Sequence, residues 1–124
     1  MQPISGQSYI GFARSQSTGP SQRCVNPATA TELPTDFFQA TSADVEHACS
    51  LALAAAPVLA ALGGKQKAAF LRAIASRIEA ATPDLVARAT QETALPEARC
   101  QGEIGRTIGQ LRLFADLVLS LIHI

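Results

Sequence analysis

A change in the hydrophobic pattern near residue 41 constrains the fold of this chain more than any other feature. Before it, Ser, Gly, Pro and Thr are frequent, and after it Ala and Leu predominate with helical spacing. Thr41 and Asp44 have the spacing of a capping box, which satisfies free backbone N–H groups where a helix begins. The sequence therefore predicts strands and loop over residues 1–41, and helices from residue 42 onward.

Two short stretches in the first region have the composition of β-strands, namely SYIGFA (8–13) and QRCVNP (22–27). The sequence STGPSQ (17–22) overlaps the start of the second stretch, and its Gly-Pro pair is typical of a turn. We predict that the two stretches pair with each other as one β-hairpin.

The second region predicts about four helices, so that the chain is mostly α. The first helix ends at Gly63-Gly64, and Pro57 inside it is expected to kink or break it, since proline lacks a backbone donor. The second begins near Lys65. Thr82-Pro83 is typical of a cap followed by a first-turn proline and predicts a third helix, and Pro96 lies near the start of the fourth.

The fourth predicted helix has two different faces. Apolar residues recur along one face in steps of four and three: Ile104, Ile108, Leu111, Ala115 and Val118. Another face carries Arg99, Glu103, Arg106 and Gln110. The spacing allows Glu103 to form ion pairs with both arginines.

Charge and cysteine usage exclude several classes of partner. Ten basic and ten acidic residues give a net charge of +0 without a block of either sign, which argues against nucleic acid or an anionic membrane as a partner. The three widely spaced cysteines argue against a disulfide framework and a zinc site. The start has no signal pattern, and the closing apolar run is short and contains Asp116. We expect a cytoplasmic protein without a metal site.

The residues alone indicate no active site. The two histidines are His47, which we expect to be a surface residue of the first helix, and His123. No Ser/His/Asp set and no phosphate-binding glycine loop between a strand and a helix is present. A freestanding helical module that binds a partner therefore remains open.

Four longer stretches occur in an order and spacing typical of one enzyme family. They are ISGQSYIG (4–11), VNPATATELPTDFFQATSADVEHAC (25–49), KAAFLRAIASRIEA (67–80) and QETALPEARCQGEIGRTIGQLRLFADLV (91–118). Together they resemble the amino-terminal part of the aldehyde dehydrogenase superfamily, and within it the 2,5-dioxovalerate (α-ketoglutaric semialdehyde) dehydrogenases. The string at 110–115 that follows Gly102-Glu103 is the most specific for that subgroup.

Two alanines depart from the family pattern. The sequence at 26–29 resembles the Asn-Pro-Ala-Thr-Gly turn but continues with Ala30, and Glu92-Thr93 resembles Glu-Thr-Gly but continues with Ala94. Because glycine at such positions accommodates positive φ, we expect each alanine to strain its turn by ~1 kcal/mol or more.

The resemblance implies an α/β parent enzyme that oxidises an aldehyde to a carboxylate with NADP or NAD, through a cysteine thiohemiacetal and thioester. It implies 2,5-dioxopentanoate as substrate, with another semialdehyde as the alternative, and a homo-oligomeric parent. Family members carry their cofactor-binding strands, nucleophilic cysteine and general-base glutamate further downstream. The resemblance thus implies that this chain alone has no catalytic or cofactor-binding residue, binds no cofactor and is inert.

Two local similarities to active-site motifs are expected to be structural. Cys100 lies in PEARCQGE within a predicted helix, not in the family's Gly-Gln-x-Cys loop, where backbone donors activate a thiolate. LGGK (62–65) resembles the family's Glu-Leu-Gly-Gly-Lys, but Ala61 replaces the glutamate. A helix end is expected there.

The family resemblance also suggests a role for the fourth helix. In the family, the helix similar to residues 96–118 borders the substrate entrance, so Glu103, Arg106 and Gln110 are candidates for contact with a substrate carboxylate. Arginine suits this task because its planar fork binds a carboxylate through two hydrogen bonds. A solvated, salt-bridged helix face is the alternative.

The last six residues, LSLIHI (119–124), match the in-frame translation of CTG TCT CTT ATA CAC ATC, a transposon-end adapter used in sequencing libraries. We expect this tail to be non-native, so that His123 has no function. Residues 42–118 are then the native helical part of an incomplete cofactor-binding domain.

Overall fold

The computed structural model describes residues 4–16 and 19–120. In these ranges the chain forms four strands and three helices: β1 (Tyr9–Ile10), β2 (Ala13–Arg14), β3 (Ser21–Asn26), β4 (Thr31–Phe38), α1 (Ser42–Ala61), α2 (Gly64–Thr93) and α3 (Glu97–Ser120). Two compact units are present, Met1–Ala60 and Ala61–Ile124. The prediction of strands followed by a mostly helical region is confirmed.

The described strands form two hairpins, so the predicted pairing of SYIGFA with QRCVNP is wrong. β1 pairs with β2 inside SYIGFA, and β3 pairs with β4, both antiparallel. Gly11, with φ of +63°, allows the tight turn between β1 and β2. The turn in SYIGFA and the strand at 31–38 are not among the features predicted from the sequence.

The β3–β4 turn is built by the Asn-Pro-Ala-Thr sequence. The Asn26 side-chain Oδ1 accepts a hydrogen bond from the Ala28 N–H at 2.9 Å, which is an Asx turn. Ala30 follows with φ of +54°. Ala30 therefore adopts the positive φ that glycine accommodates most easily, and the strain expected there stays a prediction.

Pro34 lies inside β4 and coincides with an irregular register. Arg23 is opposite Asp36, but Val25 is opposite Glu32, so β4 has extra residues at this point. Proline cannot donate a ladder hydrogen bond, and each strand of a two-stranded sheet has a free edge that tolerates it.

The start of α1 matches the predicted capping box. The Thr41 N–H donates to the Asp44 carboxylate at 2.9 Å, and the Asp44 N–H donates to the Thr41 hydroxyl at 3.2 Å. Pro57 does not break the helix, because α1 continues to Ala61, and the alternative of a kink stays a prediction. A proline removes only one backbone hydrogen bond, and the surrounding Ala and Leu residues are strong helix formers.

All of α1 is described, and it contains no buried residue. Its 20 residues and mean hydropathy of 1.2 make it long and apolar enough to cross a membrane, by length and composition only. Apolar helices in the interior of folded proteins satisfy the same criterion, so this finding does not assign α1 to a membrane.

The predicted second and third helices are one continuous helix, α2, and the predicted boundary at Thr82-Pro83 is wrong. The Thr82 hydroxyl donates to the Ile78 carbonyl at 3.1 Å instead of capping a new helix. Ala75 and Val86 are buried on either side of Pro83. Packing of α2 against α3 along this whole length offsets the hydrogen bond that Pro83 removes.

Both ends of α2 follow the sequence prediction. The helix begins after Gly63, whose N–H donates to the Gln66 side chain at 3.2 Å, so the break between α1 and α2 lies within LGGK, as expected. At the other end, Ala94 has φ of +56° and its N–H donates to the Thr90 carbonyl at 2.9 Å. This left-handed cap is the conformation that glycine adopts most easily. The strain expected for Ala94 stays a prediction.

Helices α2 and α3 form an antiparallel pair with a core of small side chains. Ala68, Ala75 and Ala115 are at most 1% exposed, which allows the two backbones to approach closely. Two ion pairs join the helices across one side, Arg72–Asp116 and Arg112–Glu79, each at 2.6 Å. All four side chains are at least half exposed, so each pair stabilises the unit by at most ~1 kcal/mol.

Candidate functional site

The candidate residues Glu103, Arg106 and Gln110 all lie on α3, where Arg106 and Gln110 are exposed and Glu103 is partly buried. Steps of three and four residues place them on adjacent turns of one face. The opposite face is buried against α2 through Cys100, Ile108 and Ala115 in this unit. The predicted amphipathic division of this helix is therefore confirmed.

Glu103 lies between two arginines. Arg106 donates from Nη2 and Nε to Glu103 Oε2, at 2.5 and 3.0 Å. Arg99 Nη2 lies 3.0 Å from Glu103 Oε1. Both predicted ion pairs are confirmed.

Solvent exposure limits the strength of this cluster. The side chains of Arg106 and Arg99 are 71% and 66% exposed, and that of Glu103 is 42% exposed. Water screens such pairs, so they contribute little to stability. They do position the guanidinium groups on the surface of α3.

The protonation state of Glu103 follows from its neighbours. The hydrogen bond from Arg106 is the largest cause that lowers the pKa of Glu103, followed by the charge of Arg106. The carboxylate is thus ionised at neutral pH, and the two arginines leave the cluster with a net charge of +1. An incoming carboxylate would be attracted weakly and would compete with Glu103 for the fork of Arg106.

Beside this cluster lies an open apolar pocket of about 320 Å³ between α2 and α3. Its lining residues are mostly apolar: Leu85, Ala89, Thr93, Leu95, Cys100, Glu103 and Ile104. Glu103 is the charged member of this set. Sequence reasoning missed the pocket, because it arises only when α2 folds back against α3.

Cys100 is 7% exposed and faces α2. The Thr90 hydroxyl lies 3.8 Å from its Sγ, within reach of a weak hydrogen bond. A nucleophilic cysteine needs an accessible thiolate and an activating group. The burial of Cys100 agrees with the structural role that the sequence analysis assigned to it.

His47 is exposed on α1, as expected. Within residues 4–16 and 19–120, no cluster of three His, Cys, Asp or Glu side chains is placed to hold a metal ion. Residues 121–124, including His123, lie outside the described part of the chain, so the non-native origin of the tail stays a prediction.

The described residues do not form a dinucleotide site of the usual kind. Such sites lie at the carboxyl ends of parallel strands, where a glycine-rich turn leads into a helix. The two sheets of the described chain are antiparallel hairpins.

Comparison with known proteins gives the family. Residues 12–123 match the model of the aldehyde dehydrogenase family. The chain is 42% identical over 116 residues to alpha-ketoglutaric semialdehyde dehydrogenase 2 of Azospirillum brasilense, which covers 93% of this chain and 22% of that protein. It is 36% identical over 118 residues to alpha-ketoglutaric semialdehyde dehydrogenase of Acinetobacter baylyi, which covers 95% of this chain and 22% of that protein. The chain thus spans about a fifth of the length of these curated relatives.

A solved structure shows the same fold. It is the crystal structure of aldehyde dehydrogenase 21 from Physcomitrella patens in complex with the reaction product succinate. The two structures agree with a TM-score of 0.81 at 23% sequence identity, over 94% of this chain and 24% of the other. The match of the family model across most of the chain, supported by this fold, shows that the chain belongs to the aldehyde dehydrogenase family.

Proposed function

We propose that this chain is the amino-terminal part of an NAD- or NADP-dependent aldehyde dehydrogenase that oxidises 2,5-dioxopentanoate (α-ketoglutaric semialdehyde) to 2-oxoglutarate. The observation that carries the proposal is the 42% and 36% identity, over more than nine-tenths of this chain, to two proteins named for that substrate. The family match supports the reaction class.

The chemistry belongs to the whole protein. Its expected course is addition of a cysteine thiolate to the aldehyde, loss of hydride to the oxidised cofactor, and hydrolysis of the resulting thioester with help from a glutamate. Because Cys100 is buried and the described strands form antiparallel hairpins, none of these steps is assigned to a residue of this chain.

Activity of the full-length protein that carries this sequence tests the proposal. NADH and NADPH formation is measured with 2,5-dioxopentanoate, succinic semialdehyde and a neutral aldehyde of similar length. We expect the highest kcat/KM with 2,5-dioxopentanoate. A higher value with another semialdehyde would support the alternative substrate, and no turnover of any aldehyde would refute the proposal.

The isolated chain is proposed to be inert. Purified chain, incubated with 2,5-dioxopentanoate and NAD or NADP, should form no reduced cofactor. The matched control is Cys100→Ser. Turnover by the isolated chain that disappears in this variant would assign catalysis to Cys100 and contradict its structural role.

Arg106 is proposed to meet the distal carboxylate of the substrate, with Glu103 and Gln110 beside it. Its position on the outer face of α3 and the net positive charge of the cluster support this role. The high exposure and the ion pair with Glu103 equally support a solvated helix face. Kinetics of variants can distinguish the two.

In the full-length protein, Arg106→Ala should raise KM for an acid semialdehyde more than for a neutral aldehyde. A charged hydrogen bond shielded from solvent contributes ~1.5 to 3 kcal/mol, and a more exposed one contributes less. Arg99→Ala is the matched control, because Arg99 is similarly exposed and also pairs with Glu103. Equal effects of Arg106→Ala on both substrates would leave Arg106 as a surface residue.

A freestanding helical interaction module is the second candidate, and α1 favours it. None of the described α1 residues is buried, and Leu53 and Val58 are 78% and 65% exposed. Sequencing the source DNA across codon 118 distinguishes the candidates. Continuation into a glycine-rich cofactor domain and a cysteine loop supports the enzyme, whereas the six terminal codons followed by a stop would support the module.

The whole protein is further proposed to be a cytoplasmic homo-oligomer without nucleic-acid or membrane partners. The balanced charge and the cysteine pattern of this chain support the location and the absence of nucleic-acid and membrane partners. The family match supports the homo-oligomer. Cell fractionation and light scattering of the purified full-length protein test the location and the oligomeric state.

A further inference from the structure

We draw no further inference here: the strongest candidate, the exposed apolar face of α2 lined by Phe70, Ile74, Ile78 and Leu85, is an unpartnered helix face, and nothing in the described part of the chain shows what covers it.

Discussion

The strand region and the α2–α3 pair are held together by different interactions. Among the described residues before 42, Leu33 is the buried apolar side chain, so backbone hydrogen bonds and close backbone approaches hold the strands. In the α2–α3 pair, a line of buried small side chains holds two helices together. The first kind of region is sensitive to backbone geometry, and the second to side-chain volume.

The largest effect is expected from Gly6→Ala. Gly6 has φ of +66°, and an added Cβ would overlap the Asp36 carbonyl group. The Gly6 carbonyl also accepts the Phe38 N–H at 3.1 Å. The positive φ is unfavourable for alanine, and the added Cβ overpacks the contact with Asp36, so the substitution should destabilise this contact by ~2 to 4 kcal/mol. The effect would be measured as faster hydrogen exchange of the Phe38 amide.

Gly105→Ala is the matched control in the helical pair. A Cβ at this α3 position meets nothing within 4 Å. Alanine is favoured over glycine inside a helix by about 1 kcal/mol, so α3 amides should exchange more slowly. If Gly6→Ala left Phe38 protection unchanged, close backbone approach would not hold the strand region.

The second-largest effect on stability is expected from Ala75→Leu. Ala75 is 0% exposed between α2 and α3, so added methyl groups have no space. Overpacking of this kind costs ~1 to 3 kcal/mol, seen as faster exchange of α2 and α3 amides. Ala69→Leu on the exposed side of α2 should stay within ~0.5 kcal/mol of the parent chain. Equal exchange in both variants would contradict a core defined by side-chain volume.

A smaller effect is expected at the two left-handed alanines, one in each region. Ala30→Gly and Ala94→Gly remove the steric strain of a positive φ but increase the entropy of the unfolded chain. The difference should stabilise each turn by up to ~1 kcal/mol. Ala80→Gly, on the exposed side of α2, should instead destabilise by about 1 kcal/mol. Hydrogen exchange of the amides near each site compares the three variants. Faster exchange in Ala94→Gly than in the parent chain would show that the α2 cap is unstrained.

The smallest effect concerns pH, and it has the same sign in both regions. The hydrogen bond from Arg23 lowers the pKa of Asp36 below 3.8, and that from Arg106 lowers the pKa of Glu103 below 4.5. A carboxyl group whose pKa is lowered by folding stabilises the fold when the pH is above its ordinary pKa. This stabilisation is lost as the pH falls through the folded-state pKa. Unfolding experiments between neutral pH and pH 3 measure how the free energy of unfolding declines as the pH falls. This decline should be slightly shallower for Asp36→Asn and Glu103→Gln than for the parent chain. A steeper decline in either variant would contradict the assigned sign.

The same contrast explains which expectations succeeded. The Thr41 capping box and the ion pairs of Glu103 involve residues at most four positions apart. Propensity and spacing describe such local interactions directly. The candidate site on α3 could therefore be predicted as a charged helix face.

The expectations that proved wrong concern which strands pair with each other and whether a helix continues through a possible start signal. The QRCVNP stretch has strand character, but its pairing with 31–38 instead of SYIGFA depends on which antiparallel contact the whole unit favours. Thr82-Pro83 is a sound helix start by local rules, yet α2 continues because residues on both sides of it pack against α3. Local signals are weak compared with the packing of a long helix.

By itself, the sequence determined where the helical region begins, which stripe of α3 is buried, and the family to which the chain is similar. These properties depend on side-chain order along one element. Only the tertiary structure decided the partner of β3, the continuity of α2 through Pro83, and the pocket that brings Leu85 beside Glu103. Those depend on contacts between residues far apart in the chain, whose free energy exists only once the elements have packed together.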